Sequence, residues 1–206
     1  MKKSILLAVL LISCTTAFAF QGESSAGFSP LSLAMITPVQ VPAPEYDCNG
    51  FRWDIIAGRQ YATTGLTIGL VHITDDGTVG ATLGLVNVDN GDFTGLELGL
   101  CSYIRGDFVG AVESPVLIVN GDLTGINDSF FAHINGDVIG ICAASIGITN
   151  SITGLQYGIV NISREVCGLQ FGLVNFTQGM RGFQIGLVNI ITDSPLVIFP
   201  FVNALF

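Results

Sequence analysis

Four aspartates recur at one spacing: Asp92, Asp107, Asp122 and Asp137 stand 15 residues apart. Each closes a short turn, in Asn90-Gly91-Asp92, Arg105-Gly106-Asp107, Asn120-Gly121-Asp122 and Asn135-Gly136-Asp137. If successive turns stack, their carboxylates form a column rising about 4.8 Å per step. Like charges that close repel unless they are screened, protonated or bridged. Ca²⁺ accepts oxygen ligands at flexible geometry and would suit such a column, which makes these four residues the candidate metal site. The competing reading is that Asp merely suits the turn and faces solvent. No other cofactor is expected. Arg105-Gly106-Asp107 spells an integrin-type tripeptide but is one member of the same turn series.

The remaining chemistry is sparse, and no catalytic residue is assigned. His72 and His133 are the only histidines and fall at different phases of the repeat described below. His72 stands where an asparagine usually stands, which predicts a structural histidine with satisfied nitrogens. No serine lies in a nucleophile elbow and there is no phosphate loop. Glu97 and Glu113 show no acid/base spacing. Cys48, Cys101, Cys142 and Cys167 show no zinc spacing. They are expected to be mostly buried free thiols, with one disulfide left open by an oxidising compartment. The expectation is a protein that is not an enzyme.

The element that must position these residues is a repeat. Gly50, Gly65, Gly80, Gly95, Gly110, Gly125 and Gly140 are 15 apart, and Gly154, Gly168 and Gly182 follow at 14, with Leu196 next in phase. A small residue recurs four places later, from Gly69 and Gly84 to Gly172, Gly186 and Pro200. Asparagine recurs seven places after the marker, at Asn87, Asn161, Asn175, Asn189 and Asn203. Such phase-locked ladders predict a quasi-one-dimensional architecture. Within a unit, Leu169, Phe171 and Leu173 alternate with Gly168, Gln170 and Gly172, a period of two that means strand. Dense glycine with frequent Val, Ile and Phe argues against helix.

Two all-β folds fit. The favoured one is a parallel β-solenoid of 14–15-residue coils; the alternative is an antiparallel outer-membrane β-barrel with one strand per unit. In a barrel, alternate turns lie at opposite ends, so the repeat should double to about 30 residues. It does not, since four like turns occur in four consecutive units. Same-sense stacking explains that, and it lets Asn and Gln hydrogen-bond along the stack. Each coil is expected to bury about five apolar side chains.

The N-terminus predicts export. Lys2-Lys3 precede the apolar run Ile5 to Ile12, and Ala17-Phe18-Ala19 offers a cleavage site, so residues 1–19 form a signal peptide. Leu11-Ile12-Ser13-Cys14 fits a bacterial lipobox, which makes Cys14 the candidate lipidation site; ordinary cleavage is the competing and favoured reading. Residues 20–49 are expected to be a linker and N-terminal cap with an extended segment near Leu31–Ile36, and residues 50–206 the tandem-repeat domain. Cleavage leaves five arginines against 16 carboxylates, a net charge of about −11. That disfavours nucleic acid, whose binding needs clustered cations.

The lead-in Pro30–Asp47, the segment Gly50–Gln60, the tandem GL-x-x-GLVN units and the closing Phe199–Phe206 together resemble bacterial exported surface repeat-containing proteins, some of them lipoproteins. The resemblance covers residues 30–206. It implies a cell-surface or outer-membrane/periplasmic location and no reaction. The Q-x-G-x-x-N core at Gln156–Asn161, Gln170–Asn175 and Gln184–Asn189 is also similar to repeats of curli-type amyloid subunits, although the present unit is shorter and more apolar. The expected function is a structural or adhesion-like role with a surface or envelope partner; a small barrel acting as pore or anchor is the alternative. Membrane association would come through lipidation or a barrel.

Overall fold

The computed structural model describes residues 25–195 and 197–205, so the expected signal peptide and Cys14 lie outside the described residues. The strands are β1 (Phe28–Ile36), β2 (Val39–Val41), β3 (Asp47–Leu83), β4 (Val86–Asp89), β5 (Asp92–Leu98), β6 (Cys101–Ile104), β7 (Phe108–Glu113), β8 (Val116–Val119), β9 (Leu123–Tyr157), β10 (Val160–Phe171), β11 (Val174–Ile191) and β12 (Ile198–Leu205). No helix occurs among the described residues. The chain is a β-solenoid of about 11 turns, with mostly parallel strands.

One coil shows the design. A short arm, β4, is followed by the Asn90-Gly91 turn and then by a long arm, β5, that bends at Gly95. Short arms stack on short arms, with Val86 beside Val71 and Cys101. Long arms stack on long arms, with Gly95 between Gly80 and Gly110. The offset is 15 residues here and 14 later, where Asn161 pairs with Asn175 and Gly168 with Gly182. This same-sense pairing excludes the antiparallel barrel, whose neighbours would run in opposite directions. The marker glycines form the bend. Gly110 has φ 140°, and a Cβ there would lie 1.9 Å from the carbonyl oxygen of Gly95.

The interior is less apolar than the expected five buried side chains per coil. From Gly168 to Arg181 the buried side chains are Gln170, Asn175, Thr177 and Met180, while Leu169, Phe171 and Leu173 are exposed. Only Met180 in that coil is a buried large apolar group, against about five expected. The reason lies in the stack. Inward positions two and seven places after the marker carry amides whose hydrogen bonds are completed by the next coil, so burying them incurs little penalty. The apolar core is widest in the middle coils, around Phe93, Ile104, Phe108, Leu117, Leu123 and Ile134, and narrows toward the C-terminus to Ile152, Val166, Met180 and Ile191. Phe93 and Phe108 stack there at 5.3 Å between ring centroids.

Both ends depart from the regular coil. β1 pairs in parallel with the start of β3, so the segment expected as a cap already forms the first rung. β2 turns back antiparallel on β1 and covers part of its edge. At the other end β12 runs antiparallel to β11, with Asn203 opposite Gln184 and Phe201 opposite Gly186. Pro200 and Asn203 therefore do not continue the in-phase series. The chain reverses between Ile191 and Pro195, and the returning strand covers the last open edge.

Candidate functional site

The four aspartates come together as a column, one per coil, on an exposed edge. Asp107 N–H donates to Asp92 Oδ1 at 2.8 Å, Asp122 N–H to Asp107 Oδ1 at 2.8 Å, and Asp137 N–H to Asp122 Oδ1 at 2.7 Å. Asp137 Oδ1 accepts from Asn150 Nδ2 at 3.0 Å and Ser151 Oγ at 2.8 Å. One oxygen of each carboxylate thus holds the neighbouring turn, and these bonds offset the repulsion along the column. Among the described residues no three His, Cys, Asp or Glu side chains are grouped to hold a metal ion.

His72 is closed to solvent. Its Nδ1 lies 2.7 Å from Asp54 Oδ2 and its Nε2 lies 3.1 Å from the Leu83 carbonyl. Both ring nitrogens are therefore engaged inside the coil. His133 is half-buried on the outside of a short arm. Among the described residues no disulfide forms: Cys48 and Cys142 are buried, Cys101 is half-buried and Cys167 is exposed.

Sequence reasoning missed a charged cluster inside the first coils. Arg52 is fully buried and its Nε lies 2.8 Å from Asp54 Oδ2. Its Nη1 donates to Thr63 and Thr74 at 3.2 Å each, and its Nη2 to the Ile73 carbonyl at 3.0 Å. Asp89 and Glu97 lie deeper in the same interior, and Thr78 donates a short hydrogen bond to Asp89. A signal for this existed. Arg52 and Glu97 stand two places after a marker, in the column that Gln156, Gln170 and Gln184 occupy.

Burial pushes the Asp89 carboxyl up to about 6, with Thr78 and Arg52 opposing the shift. Burial, reinforced by the nearby Asp89, pushes Glu97 up to about 8. Each group keeps in the folded state a proton that the unfolded chain releases near 3.8 or 4.5. Their stabilising contribution is complete below those values and is lost as pH rises through about 6 and then about 8. The melting temperature should therefore fall across that window, and Glu97→Gln should flatten its upper part. A wild-type melting temperature that climbs between about 6 and about 8 would contradict this assignment.

The C-terminal interior holds the amide ladders. Asn161 Nδ2 donates to Asn175 Oδ1 and Asn175 Nδ2 to Asn189 Oδ1, each at 2.8 Å. Gln184 Nε2 donates to Gln170 Oε1 and Gln170 Nε2 to Gln156 Oε1, each at 2.7 Å. Asn175 Nδ2 also donates to the Ile185 carbonyl at 3.0 Å. Asn175→Ala removes the donor to Asn189 Oδ1 and one of the two acceptors of Asn161 Nδ2, and should cost about 2–3 kcal/mol in denaturant unfolding. The exposed Leu173→Ala should cost less than about 0.5 kcal/mol.

The outer surface is where the apolar residues went. Leu70, Leu100, Phe130, Ile159, Leu173 and Leu187 stand at one position, five places after the marker, and are 45–63% exposed. A second exposed column includes Trp53, Leu83, Tyr157, Phe171 and Ile185. The aspartate column is a separate exposed series, present in the four coils from Asp92 to Asp137. Comparison with protein-family models, curated proteins and solved structures returns no match.

Proposed function

We propose that this chain is a non-enzymatic, exported rod of the bacterial surface or envelope, with a structural or adhesion-like role, which docks through its apolar outer columns. The observation that carries this reading is the outward column from Leu70 to Leu187, about half exposed in coil after coil. Contiguous apolar surface of this extent is uncommon on soluble monomers and marks interaction sites. The signal-like N-terminus and the resemblance to exported surface repeat proteins support the location.

The test is expression of the full chain in a bacterium, fractionation, and mass spectrometry of the N-terminus. A mature chain beginning at Phe20, or lipidated at Cys14, recovered with the envelope supports the reading. An intact chain beginning at Met1 in the cytosol overturns it. Ile159→Asp with Leu173→Asp and Leu187→Asp should release an unlipidated chain from the envelope fraction. Asp107→Asn, on the other edge, should not.

A further inference from the structure

The corner beside the outer column is a trench. Its floor in the C-terminal coils is Gly158, Gly172 and Gly186, and it has a volume of about 530 Å³. One wall carries Tyr157 and Phe171, stacked at 5.6 Å between ring centroids; the other carries Leu173 and Leu187. Phe201 stands at its far end on the capping strand. Phe201 has φ 69°, the only non-glycine with positive φ among the described residues. A bulky residue in that region is strained and is held there by its surroundings.

The other end of the trench is different. A second hollow of about 210 Å³ shares Tyr157, Gly158 and Ile159 with the first and continues to Ser145, Ser129 and Asp128. Glu113 lies beside Asp128, its register partner on the adjacent coil. Both carboxylates are exposed, and among the described residues neither side chain makes an ion pair or hydrogen bond. They interrupt an otherwise uncharged column, where Leu98 precedes them and Ala143 and Tyr157 follow. From the Asp128 coil to the capping strand is five steps, about 24 Å at the inter-strand spacing.

We propose that this trench binds a single-chain alkyl amphiphile with an ammonium head group, its tail between the Tyr157–Phe171 wall and Leu173, its head at Asp128 and Glu113. An apolar channel with a few polar groups gathered at one end is the usual composition of a small-molecule site. The chain lies along stacked coils, over the backbone of Gly158, Gly172 and Gly186 and between the side chains that flank it. The head meets two carboxylates that have no other cation, and an anionic head is repelled there. The proposal rests on reading the outer face as an interaction surface and names what one part of it takes.

The experiment is calorimetric titration of the full mature chain with dodecylammonium, dodecanoate and dodecanol, each below its micelle-forming concentration. Saturable binding is expected, with dodecylammonium preferred over dodecanoate by about tenfold or more. Glu113→Gln with Asp128→Asn should abolish that preference and leave dodecanol unchanged. Asp107→Asn with Asp122→Asn removes the same charge from the aspartate column, whose residues do not line the trench, and should preserve the preference. Leu173→Asp, at an exposed position and with unchanged circular dichroism, should weaken both dodecylammonium and dodecanol. Equal affinity for the two ions, a preference that survives Glu113→Gln/Asp128→Asn, or no saturable binding would each overturn the proposal. A chain that fails these titrations yet stays with the envelope through its outer column loses the trench assignment alone.

Discussion

Gly110→Ala is expected to cost the fold about 3 kcal/mol or more, and Gly110→Val to prevent folding. Gly110 has φ 140°, a conformation that side-chain-bearing residues rarely adopt. A Cβ there would lie 1.9 Å from the oxygen of Gly95 and 2.8 Å from its carbonyl carbon. Neither atom can retreat, because Gly95 is itself stacked on Gly80 and Gly110 is covered by Gly125. In a stack where each coil contacts only its neighbours, a breach in the middle separates the two halves. Gly147→Ala is the control. Its nearest neighbour is Gln156 Nε2 at 3.1 Å, the end of a side chain, and it should cost about 1 kcal/mol or less. Guanidinium unfolding followed by circular dichroism measures both, and equal losses would refute the special role of the marker column.

Arg52→Met is the second large loss, expected at about 3–5 kcal/mol. The Arg52 guanidinium faces Asp54, Thr63, Thr74 and the Ile73 carbonyl, and so joins three rungs of the stack. Removing it leaves the Asp54 carboxylate fully buried with His72 as its remaining partner. Lysine cannot replace the planar fork and should recover little. Because contacts run between neighbouring coils, the loss should be local at first. Hydrogen exchange should quicken at Ile73 and Thr74 before it does at Asn161 or Asn175. Uniform quickening along the chain would contradict a quasi-one-dimensional stack.

The stack was legible in the sequence because glycine and asparagine ladders are backbone requirements. A bend that only glycine can make, repeated at 15 residues, specifies coils of that length whatever the other side chains do. Parallel sense was legible from like turns in consecutive units. The direction of the side chains was not. Leu169, Phe171 and Leu173 form a period-two set that fits either face of a strand, and hydrophobicity assigns such sets to the interior by default. What turns this set outward is a non-local property, the completion of each Gln and Asn hydrogen bond by a residue 14 places away. The same parity places Arg52 and Glu97 inside, so their phase carried the information although their charge pointed outward. The antiparallel return of β12 was hidden because Pro200 and Asn203 keep the spacing of the ladder while the chain runs the other way. The aspartate column was found from phase alone, and its bonds to the next turn follow from same-sense stacking.

This rod carries exposed apolar columns outside and its polar ladders inside, toward both ends. Hydroxyl-radical footprinting of the detergent-free monomer, read by mass spectrometry, tests this arrangement most directly. Methionine is intrinsically among the most reactive side chains, yet Met180 is 4% exposed, whereas Phe171 and Phe201 are 47% and 69% exposed. Oxidation is expected at Phe171, Phe183, Phe201 and Trp53, with Met180, Phe93 and Phe108 protected until the chain unfolds. Rapid oxidation of Met180 with protection of Phe171 and Phe183 would show the opposite parity, with the apolar columns inside.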